Sequence, residues 1–543
     1  MNVAENVQTN RVVILGGGLA GSTLARQLKL DFPQLEISII ESNTFPVPLA
    51  KFKVGESTVD IAGHYLRNVL GLNDHLEQEQ LPKYGLRFFL PKGDNSDITQ
   101  RVEVGNYKRP SSKSYQLDRG KFENFMHATL LEQGVEFIDS ARVTNVEKGD
   151  PCHTVTYSTA SGEQHELDAR WVLDASGGAR LLQKAFNIPA KHSKSHHSSW
   201  FRVAGKIEVN DLSSDEEWLQ KVPEVARQLC TNHLIGKGYW VWIIPLSGNN
   251  TSIGVVVDPA HHEVSQFDTL EGTHAWLTKH EPQFAQYLLS KDYDVLDYKK
   301  MGNFTYRCEK LFSPERWALT GISGSFTDPF YSPGTDFIAI ANTLICKLIG
   351  EDLAGNTLTE PCNAAEQMYI AGYESLISTV ENQYGIFENN LIISCKLLWD
   401  GTLAWSGAGL MFCNNKFTDS KIAMEVSDEL MLMGKLHTTM QQVFRRWSTQ
   451  INDRPVRKDI IVDRLDNFGQ RAQRALVTPH TDEELVNQVK RNFNSLCSLA
   501  VSLFKLIENK SILDSEIALL VAGYQHEPEV ETELNELLFG NGN

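Results

Sequence analysis

The glycine cluster GGGLAG at residues 16–21 has the composition and spacing that bring a backbone close to a pyrophosphate. Gly16 permits a tight turn, Gly18 removes the side chain that would keep phosphates away, and Gly21 lets the following helix pack on the preceding strand. A helix that starts here offers its amino terminus to negative charge. The cluster therefore predicts a dinucleotide-binding turn.

A second motif that suits chemistry is WVWIIP at residues 240–245. Residues two apart on a strand share a face, so Trp240 and Trp242 can form one aromatic wall beside a cleft. Such a wall would limit how closely a ligand approaches a cofactor. Simple packing of the indoles on the layer beneath the strand is the alternative interpretation.

The elements around the glycine cluster fit a strand, turn, helix and strand unit. RVVIL at residues 11–15 is an apolar run of strand formers, a helix is predicted over residues 22–30, and EISII at residues 36–40 predicts the second strand. That strand ends at Glu41, 20 positions after Gly21, where the fold needs an acceptor for a ribose hydroxyl. An acid here disfavours a cofactor with a 2′-phosphate.

Length and charge narrow the class of protein. A chain of 543 residues is longer than one core usually supports, which predicts two or three domains. The net charge is −17 without a long basic block, so neither nucleic acid nor an acidic membrane is expected as a partner. Eight cysteines without Cys-x-x-Cys spacing predict buried free thiols, and the amino end lacks the pattern of a signal peptide. A cytoplasmic protein is therefore expected.

The order of elements predicts an α/β (α+β) fold. It combines a Rossmann-like βαβ domain, an antiparallel sheet on the substrate side and a mostly helical carboxyl-terminal domain. In the sheet, residues 200–204 form a strand, and residues 239–246 and 251–258 form a hairpin turned by residues 247–250. The predicted module of residues 1–349 has its nucleotide-binding part at about 1–60, 112–195 and 300–349 and its sheet at about 61–111 and 196–299, and the helical domain covers residues 350–543.

Further motifs follow in order, and with them the chain resembles the flavin-dependent halogenases, a branch of the FAD enzymes that include aromatic hydroxylases. The resemblance covers residues 11 to about 345. Besides the glycine and tryptophan motifs it rests on GEST at 55–58, LDRGKF at 117–122, WVLDASG at 171–177 and DPFYSPG at 328–334.

The resemblance implies an enzyme that uses FADH2, O2 and chloride or bromide to make hypohalous acid, which halogenates an electron-rich ring such as a phenol or pyrrole. It places FAD at Gly16, Gly18, Leu19, Ala20, Gly21, Glu41, Glu56, Ser57, Arg119, Asp174, Ile322, Asp328 and Thr335. It places the halide at Pro333 and Gly334, and the tunnel wall at Trp240, Trp242 and Tyr331. No metal is expected, since adjacent histidines such as His196-His197 point to opposite faces of a strand.

The resemblance also implies a catalytic lysine. KYGLRF at residues 83–88 fits the family's Lys-x-Gly-x-x-Phe pattern 28 residues after Gly55, which makes Lys83 the expected residue. An ammonium can polarise hypohalous acid, and a neutral amine, which burial makes more accessible, can form a haloamine. Without the family pattern a solvated lysine is the ordinary expectation. The other candidates, which fit less well, are Lys51, Lys53 and Lys92.

Three positions depart from the family pattern. Ile322 stands where related flavoproteins carry an aspartate, so it supplies no carboxylate to the ribityl chain. Tyr331 replaces the glutamate that tryptophan-type members carry beside the lysine, which favours an already activated ring, preferably a phenol. Pro333 has no N–H for the halide, which leaves Gly334 and Thr335 as donors.

A second dinucleotide fingerprint for NADH or NADPH is not evident, so a separate NAD(P)H-dependent flavin reductase is expected as a transient partner. The substrate is expected to be a small aromatic molecule, free or tethered to a carrier protein. One alternative is an FAD-dependent aromatic hydroxylase, which loses the halide and the role of Lys83. The other is a catalytically silent FAD-binding interaction protein.

Overall fold

The computed structural model describes residues 10–49, 54–194, 196–450, 454–508 and 515–540. Lys51, Lys53 and residues 1–9, on which the expectation of no signal peptide partly rests, lie outside these ranges. Strands and helices are numbered separately in chain order.

The nucleotide-binding layer is a six-stranded sheet made of β1 (Arg11–Leu15), β2 (Glu36–Ile40), β7 (Glu136–Ile138), β11 (Trp171–Asp174), β19 (Phe312–Ser313) and β20 (Trp317–Leu319). Their spatial order is β19-β20-β11-β1-β2-β7, and all pairs except β19 with β20 are parallel. Residues 12–15 of β1 are all buried and apolar, as a strand covered on both faces requires. The predicted Rossmann-like fold class is confirmed.

The second layer is an eight-stranded sheet made of β4 (Leu86–Phe89), β5 (Glu103–Gly105), β13 (His197–Ala204), β14 (Thr231–Gly236), β15 (Tyr239–Leu246), β16 (Asn250–Val257), β17 (Asp294–Gly302) and β22 (Asp459–Ile461). Their order is β17-β13-β16-β15-β14-β4-β5-β22. The predicted hairpin is confirmed as β15 and β16. The sheet is mixed, however, because β4 runs parallel to β14 and β22 parallel to β5. Parallel neighbours are joined by long crossovers, which alternation within a strand does not reveal.

Three small sheets complete the β-structure of the described residues. One pairs β3 (Leu81–Lys83) with β6 (Ser114–Gln116), which places Lys83 opposite Ser114. The others are made of β8 (Arg142–Glu147), β9 (His153–Ser158) and β10 (Gln164–Ala169), and of β12 (Ala190–His192), β18 (Tyr306–Cys308) and β21 (Ser325–Phe326).

Helices cover the layers and dominate the chain after residue 333. They are α1 (Leu19–Asp31), α2 (Asp60–His64), α3 (Asn73–Glu79), α4 (Arg119–Glu132), α5 (Leu181–Ala185), α6 (Glu216–Gln220), α7 (Glu224–Gln228), α8 (Leu270–His280), α9 (Pro282–Lys291), α10 (Gly334–Leu353), α11 (Thr359–Val380), α12 (Asn390–Ser406), α13 (Ala408–Cys413), α14 (Ser420–Glu425), α15 (Ser427–Gln450), α16 (Phe468–Ala475), α17 (Asp482–Glu508), α18 (Ser515–Leu520) and α19 (Pro528–Phe539). Of the helices in the described ranges, none is both long and apolar enough for a membrane span.

The two faces of the eight-stranded sheet belong to different cores. On one face, Val241 and Ile253 pack with Trp276 of α8. On the other, Trp240 and Trp242 join the apolar side chains of the carboxyl-terminal helices. Seven of the eight cysteines are buried and all are free thiols, as predicted. The residues singled out from the sequence lie where this second face meets the parallel layer.

Candidate active site

A cavity of about 670 Å³ lies between the parallel sheet and the tryptophan-bearing face of the eight-stranded sheet. It extends from the glycine turn and the end of β2 to the paired tryptophans. Its wall brings together most of the predicted site residues, namely Gly16, Gly18, Leu19, Ala20, Glu41, Glu56, Ser57, Arg119, Ile322, Pro333, Gly334, Thr335, Trp240 and Trp242. The predicted residues that lie outside this wall are Gly21, Lys83, Asp174, Asp328 and Tyr331.

The glycine turn has the close backbone contacts that its sequence predicts. Gly16 has φ +108°, and a Cβ placed there would lie 2.6 Å from the carbonyl oxygen of Ala175. A Cβ at Gly21 would lie 1.9 Å from the carbonyl oxygen of Gly16. The turn therefore requires glycine at position 21, although this residue lies outside the cavity wall. Helix α1 begins at Leu19, three residues before the predicted start, and Gly18 provides no side-chain cap. The helix terminus therefore faces the cavity without a competing protein group.

Glu41 closes the far end of the cavity and is already bound to protein donors. Its Oε2 accepts the backbone N–H of Gly17 at 2.7 Å, and its Oε1 accepts the backbone and side-chain N–H groups of Asn43 at 2.7 and 2.6 Å. Oε1 also accepts the Ser42 hydroxyl at 3.2 Å, whereas Oε2 retains further acceptor capacity. These bonds fix the carboxylate at the position where a ribose hydroxyl is expected.

The residues of the wall fit FAD. Arg119 binds Glu123 at 2.6 Å and the carbonyl of Val54, which holds its guanidinium beside the glycine turn. Two buried hydroxyls of the wall, Thr327 Oγ1 and Thr335 Oγ1, have no hydrogen-bond partner within the described residues. A buried polar group without a partner is costly, and a polar ligand in the cavity would satisfy both. Ile322 lines the same wall and offers only backbone, as the sequence predicts.

Two of the predicted cofactor residues instead bind protein groups away from the wall. Asp174 accepts hydrogen bonds from the backbone and hydroxyl of Ser176 and from the backbone of Leu182, at 2.6 to 2.9 Å. Asp328 accepts the hydroxyl of Tyr384 at 2.7 Å and lies 2.7 Å from Nδ1 of His196. Both carboxylates are bound by buried protein donors, and their role toward the cofactor stays a prediction.

Trp240 and Trp242 lie side by side in the wall, with ring centroids 5.7 Å apart. Each is oriented by a hydroxyl that also bonds to a buried carboxylate. The indole N–H of Trp240 donates to the Tyr384 hydroxyl at 2.6 Å, and that hydroxyl donates to Asp328. The first indole is therefore held by residues that follow the tryptophan motif by more than 80 positions.

The second indole has an equivalent anchor. The N–H of Trp242 donates to the Ser252 hydroxyl at 3.2 Å, and Ser252 bonds to Glu56. Glu56 accepts Arg202 Nε at 2.8 Å, and Arg202 also pairs with Asp297. Burial raises the pKa of Glu56, and Arg202 opposes that shift. Glu56, predicted as a cofactor residue, thus lines the cavity and also fixes the aromatic wall.

Lys83 is completely buried on β3, not solvated. Its ammonium donates to the Ser57 hydroxyl and to the Thr58 carbonyl, both at 2.7 Å. Burial lowers the pKa of Lys83 from 10.5 to about 7. Ser57 lines the cavity, so the lysine nitrogen is one hydroxyl away from it. Ser57 also contacts the hydroxyls of Thr231 and Ser332, at 2.7 and 3.0 Å.

The loop before α10 carries the residues predicted for the halide and the tunnel wall. Pro333 lies just before the helix, and the exposed Gly334 is its first residue. The Tyr331 hydroxyl donates to Asp400 on α12 at 2.7 Å, which turns it away from the cavity. Asp400 also accepts Lys396 at 2.6 Å. Burial lowers the pKa of Lys396, a second buried lysine that the sequence analysis did not single out.

Other cavity residues were also missed by the sequence analysis. His233 and Thr231 line the wall from β14, and Ser332 lines it from the loop. The register places His233 directly opposite Trp242, so it shares the face of the two indoles. Residues 231–236 read TNHLIG, without alternation of polar and apolar residues, so no local signal identifies His233. Within the described ranges, no group of three histidine, cysteine or carboxylate residues could hold a metal ion.

The chain is similar in sequence to known halogenases. A family model described as Tryptophan halogenase matches residues 11–98 and 94–380. The chain is 27% identical over 358 residues to Flavin-dependent halogenase chlA of Dictyostelium discoideum, a match that covers 61% of this chain and 58% of that protein. It is 25% identical over 358 residues to a 1H-pyrrole-2-carbonyl-(peptidyl-carrier protein) brominase of Pseudoalteromonas luteoviolacea, covering 64% of this chain and 79% of that one.

A solved structure has the same fold over most of its length. The crystal structure of halogenase PltM in complex with phloroglucinol and FAD matches with a TM-score of 0.64 at 15% identity, over 90% of this chain and 96% of that chain.

Proposed function

The chain belongs to the tryptophan halogenase family of flavin-dependent halogenases, since the family model matches more than half of it, and from this premise we propose that the protein is an FADH2-dependent halogenase of an electron-rich aromatic ring. Lys83 carries the proposal. It is a buried lysine whose ammonium contacts Ser57, a hydroxyl of the cavity wall. The other end of that cavity suits FAD. A lysine whose pKa is lowered by burial and that lies beside a cavity is a candidate for a functional site.

When bound, FADH2 supplies the electrons with which O2, a halide ion and a proton give hypohalous acid, FAD and water. The protein's own residues confine that acid. Trp240 and Trp242 form a wall without acid or base groups, and their anchored indoles keep an aromatic substrate from the flavin region. Halogenation then replaces one ring hydrogen by halogen and releases water.

Lys83 directs the hypohalous acid in this proposal. Two of the three ammonium N–H bonds are used on Ser57 and Thr58, so the third can donate to the oxidant. With a pKa of about 7, the neutral amine is also accessible near neutral pH and can form a haloamine. Both routes need Lys83 at this position, and neither needs a carboxylate beside it.

The proposed substrate is a ring that is already activated, such as a phenol or a pyrrole. Tyr331 stands in the place of the glutamate of tryptophan-type members, and its hydroxyl is engaged with Asp400. A substrate that needs no added base is consistent with this. The name of one relative specifies a pyrrole attached to a peptidyl-carrier protein, so tethered delivery is part of the proposal. A separate NAD(P)H-dependent flavin reductase is proposed as the transient source of FADH2.

Pro333 favours a second candidate, an aromatic hydroxylase, because it offers no N–H to a halide. The exposed Gly334 next to it still can donate its N–H. The two candidates differ in the product: a halogenase gives a mass gain that changes between chloride and bromide, whereas a hydroxylase adds one oxygen in either salt.

The test is mass spectrometry of phenols, pyrroles and indoles incubated with the protein, FAD, a flavin reductase, NADH, O2 and chloride or bromide. Halide-dependent products are expected from the wild type and from Lys92→Ala, an exposed lysine, and are expected to disappear in Lys83→Ala. Oxygen insertion that ignores the halide would replace the proposal by the hydroxylase. Products that persist in Lys83→Ala would remove the lysine's role.

A further inference from the structure

His233 is a completely buried histidine that the proposed mechanism does not use. It is 1% exposed, lies on β14 opposite Trp242, and lines the cavity. Its Nδ1 lies 3.2 Å from the carbonyl oxygen of Arg87. A carbonyl can only accept, so Nδ1 carries the proton. Burial lowers the pKa of His233 to about 3, which keeps the ring neutral. Nε2 is therefore a lone-pair acceptor.

That acceptor lacks a donor within the described part of the chain, where no residue forms a hydrogen bond with His233 Nε2. The ring also lies near the backbone carbonyls of Thr231 and Phe330, which are acceptors, and near the charge of Lys83, whose ammonium already donates to Ser57 and Thr58. A buried lone pair without a donor is complementary to a ligand that brings an O–H or N–H.

The surroundings of His233 are aromatic. Its ring stacks on Phe88 with centroids 4.6 Å apart, and the rings of Trp240 and Phe330 lie at 5.3 and 5.9 Å. Three apolar rings around one unpaired acceptor match a small aromatic molecule with a single polar group.

The position of His233 relative to Lys83 suits the halogenation of a single aromatic ring. Thr231, two residues before His233 on the same face, contacts Ser57, which binds Lys83. Two residues of a strand span roughly 7 Å. Thr231 and His233 are therefore separated by about the length of one aromatic ring carrying a hydroxyl, and Lys83 lies beyond Thr231 through Ser57.

We propose that His233 Nε2 accepts the hydrogen bond of a phenolic O–H or a pyrrole N–H, and so holds the substrate ring with its far carbon toward Lys83. This inference rests on the proposed function and narrows its substrate class to rings that carry a donor. The imidazole acts as an acceptor and takes no proton. Halogenation remote from the donor group is the expected regiochemistry.

The test compares a phenol with its methyl ether, and pyrrole with N-methylpyrrole, binding to the protein loaded with oxidised FAD. By calorimetry, the wild type is expected to bind each donor roughly 3- to 10-fold more tightly than its methylated partner, as one hydrogen bond predicts. His233→Phe keeps a ring but removes the acceptor, so the preference should fall to about one. His233→Gln, which can place an acceptor near the same point, should restore part of it.

His274→Phe is the matched control. His274 also has an Nε2 without a partner among the described residues, but it packs on Phe201 at the opposite face of the sheet, so this variant should keep the wild-type preference. A preference that survives in His233→Phe, or is missing in the wild type, overturns the inference. The inference is also overturned if His233→Phe loses turnover equally for the phenol and its methyl ether while keeping the binding preference. In that case His233 would act on the oxidant and not on the substrate. Because binding needs no turnover, a wild type that prefers the donor yet forms no halogenated product would count against the proposed function alone.

Discussion

The ammonium nitrogen of Lys83 lies 2.7 Å from the hydroxyl oxygen of Ser57, and this hydroxyl is the link between a completely buried cation and the cavity. Within the described residues, no carboxylate forms an ion pair with Lys83; its second bond goes to the carbonyl of Thr58. A cation buried with neutral partners costs folding free energy.

Lys83→Met is expected to be more stable relative to the wild type at low pH than at high pH. Burial lowers the pKa of Lys83 from 10.5 to about 7, so between these values the unfolded chain binds a proton that the folded chain releases. The penalty on folding is complete below pH 7, on the order of a few kcal/mol, and vanishes as the pH rises through 10.5. Denaturant unfolding at pH 6, 8 and 10 measures it, with exposed Lys92→Met as the control. A difference between variant and wild type that does not change with pH would contradict the expectation.

Tyr384→Phe is expected to loosen the aromatic wall. It removes the hydroxyl between the Trp240 N–H and Asp328 and leaves both buried groups short of a partner, which costs about 1–3 kcal/mol of unfolding free energy. The ratio of halogenated product to O2 consumed should fall as well. Tyr287→Phe, which loses a hydroxyl bond to Asp211 at the opposite face, should leave that ratio unchanged. If Tyr384→Phe keeps the wild-type ratio of halogenated product to O2 consumed, the hydrogen bond from Trp240 to the Tyr384 hydroxyl is dispensable.

Gly254→Ala is expected to displace the second indole. A Cβ at Gly254 would lie 2.1 Å from Cζ2 of Trp242, so the ring must move, at a cost of about 1–3 kcal/mol. Product formation should drop with stability. Gly434→Ala on α15 meets nothing within 4 Å and should gain about 0.5–1 kcal/mol. Thermal unfolding and product yield measure both variants, and equal behaviour of the two would refute the packing argument.

Thr335→Val is expected to weaken FAD binding without destabilising the protein. The Thr335 hydroxyl lines the cavity and has no partner in the described part of the chain, so its replacement breaks no protein bond. One lost hydrogen bond to the cofactor corresponds to roughly 2- to 12-fold in affinity. Fluorescence titration with oxidised FAD measures it. Thr343 on the same helix α10 also has an unpaired hydroxyl but lies outside the cavity wall, so Thr343→Val should bind FAD normally. Equal effects of the two substitutions would mean that the hydroxyl of Thr335 is not a cofactor ligand.

Local sequence patterns predicted the parts of this fold that depend on neighbours in the chain. The strand and helix around the glycine cluster form from residues 11–31, and the hairpin of β15 and β16 needs only its own alternation and turn. The parallel pairing of β4 with β14 joins residues more than 140 positions apart, and no local period encodes it.

The same limit applies to the site. The motifs predicted Glu56, Asp174 and Asp328 as cofactor residues, but Glu56 lines the cavity whereas Asp174 and Asp328 lie outside its wall and bind protein donors. Asp328 contacts Tyr384 and His196 only in the folded chain. Its part in orienting Trp240 could therefore not be predicted from the sequence. Lys83 was predicted from its pattern, whereas its burial depends on the packing of β3 against the loop at Ser57 and Thr58.

Strand β22 has a consequence for how this protein can be divided. It comes from residues 459–461, yet it pairs with β5 and covers the edge of a sheet whose other strands end before residue 303. A fragment that stops after α10 would leave the N–H and C=O groups of β5 open to pairing with another chain, which is a route to aggregation. The opposite edge, β17, carries Lys299 and Lys300, charges that discourage such pairing. Shortened versions made to isolate the catalytic half are therefore expected to self-associate, and a library of substrate-site variants is best built in the full chain.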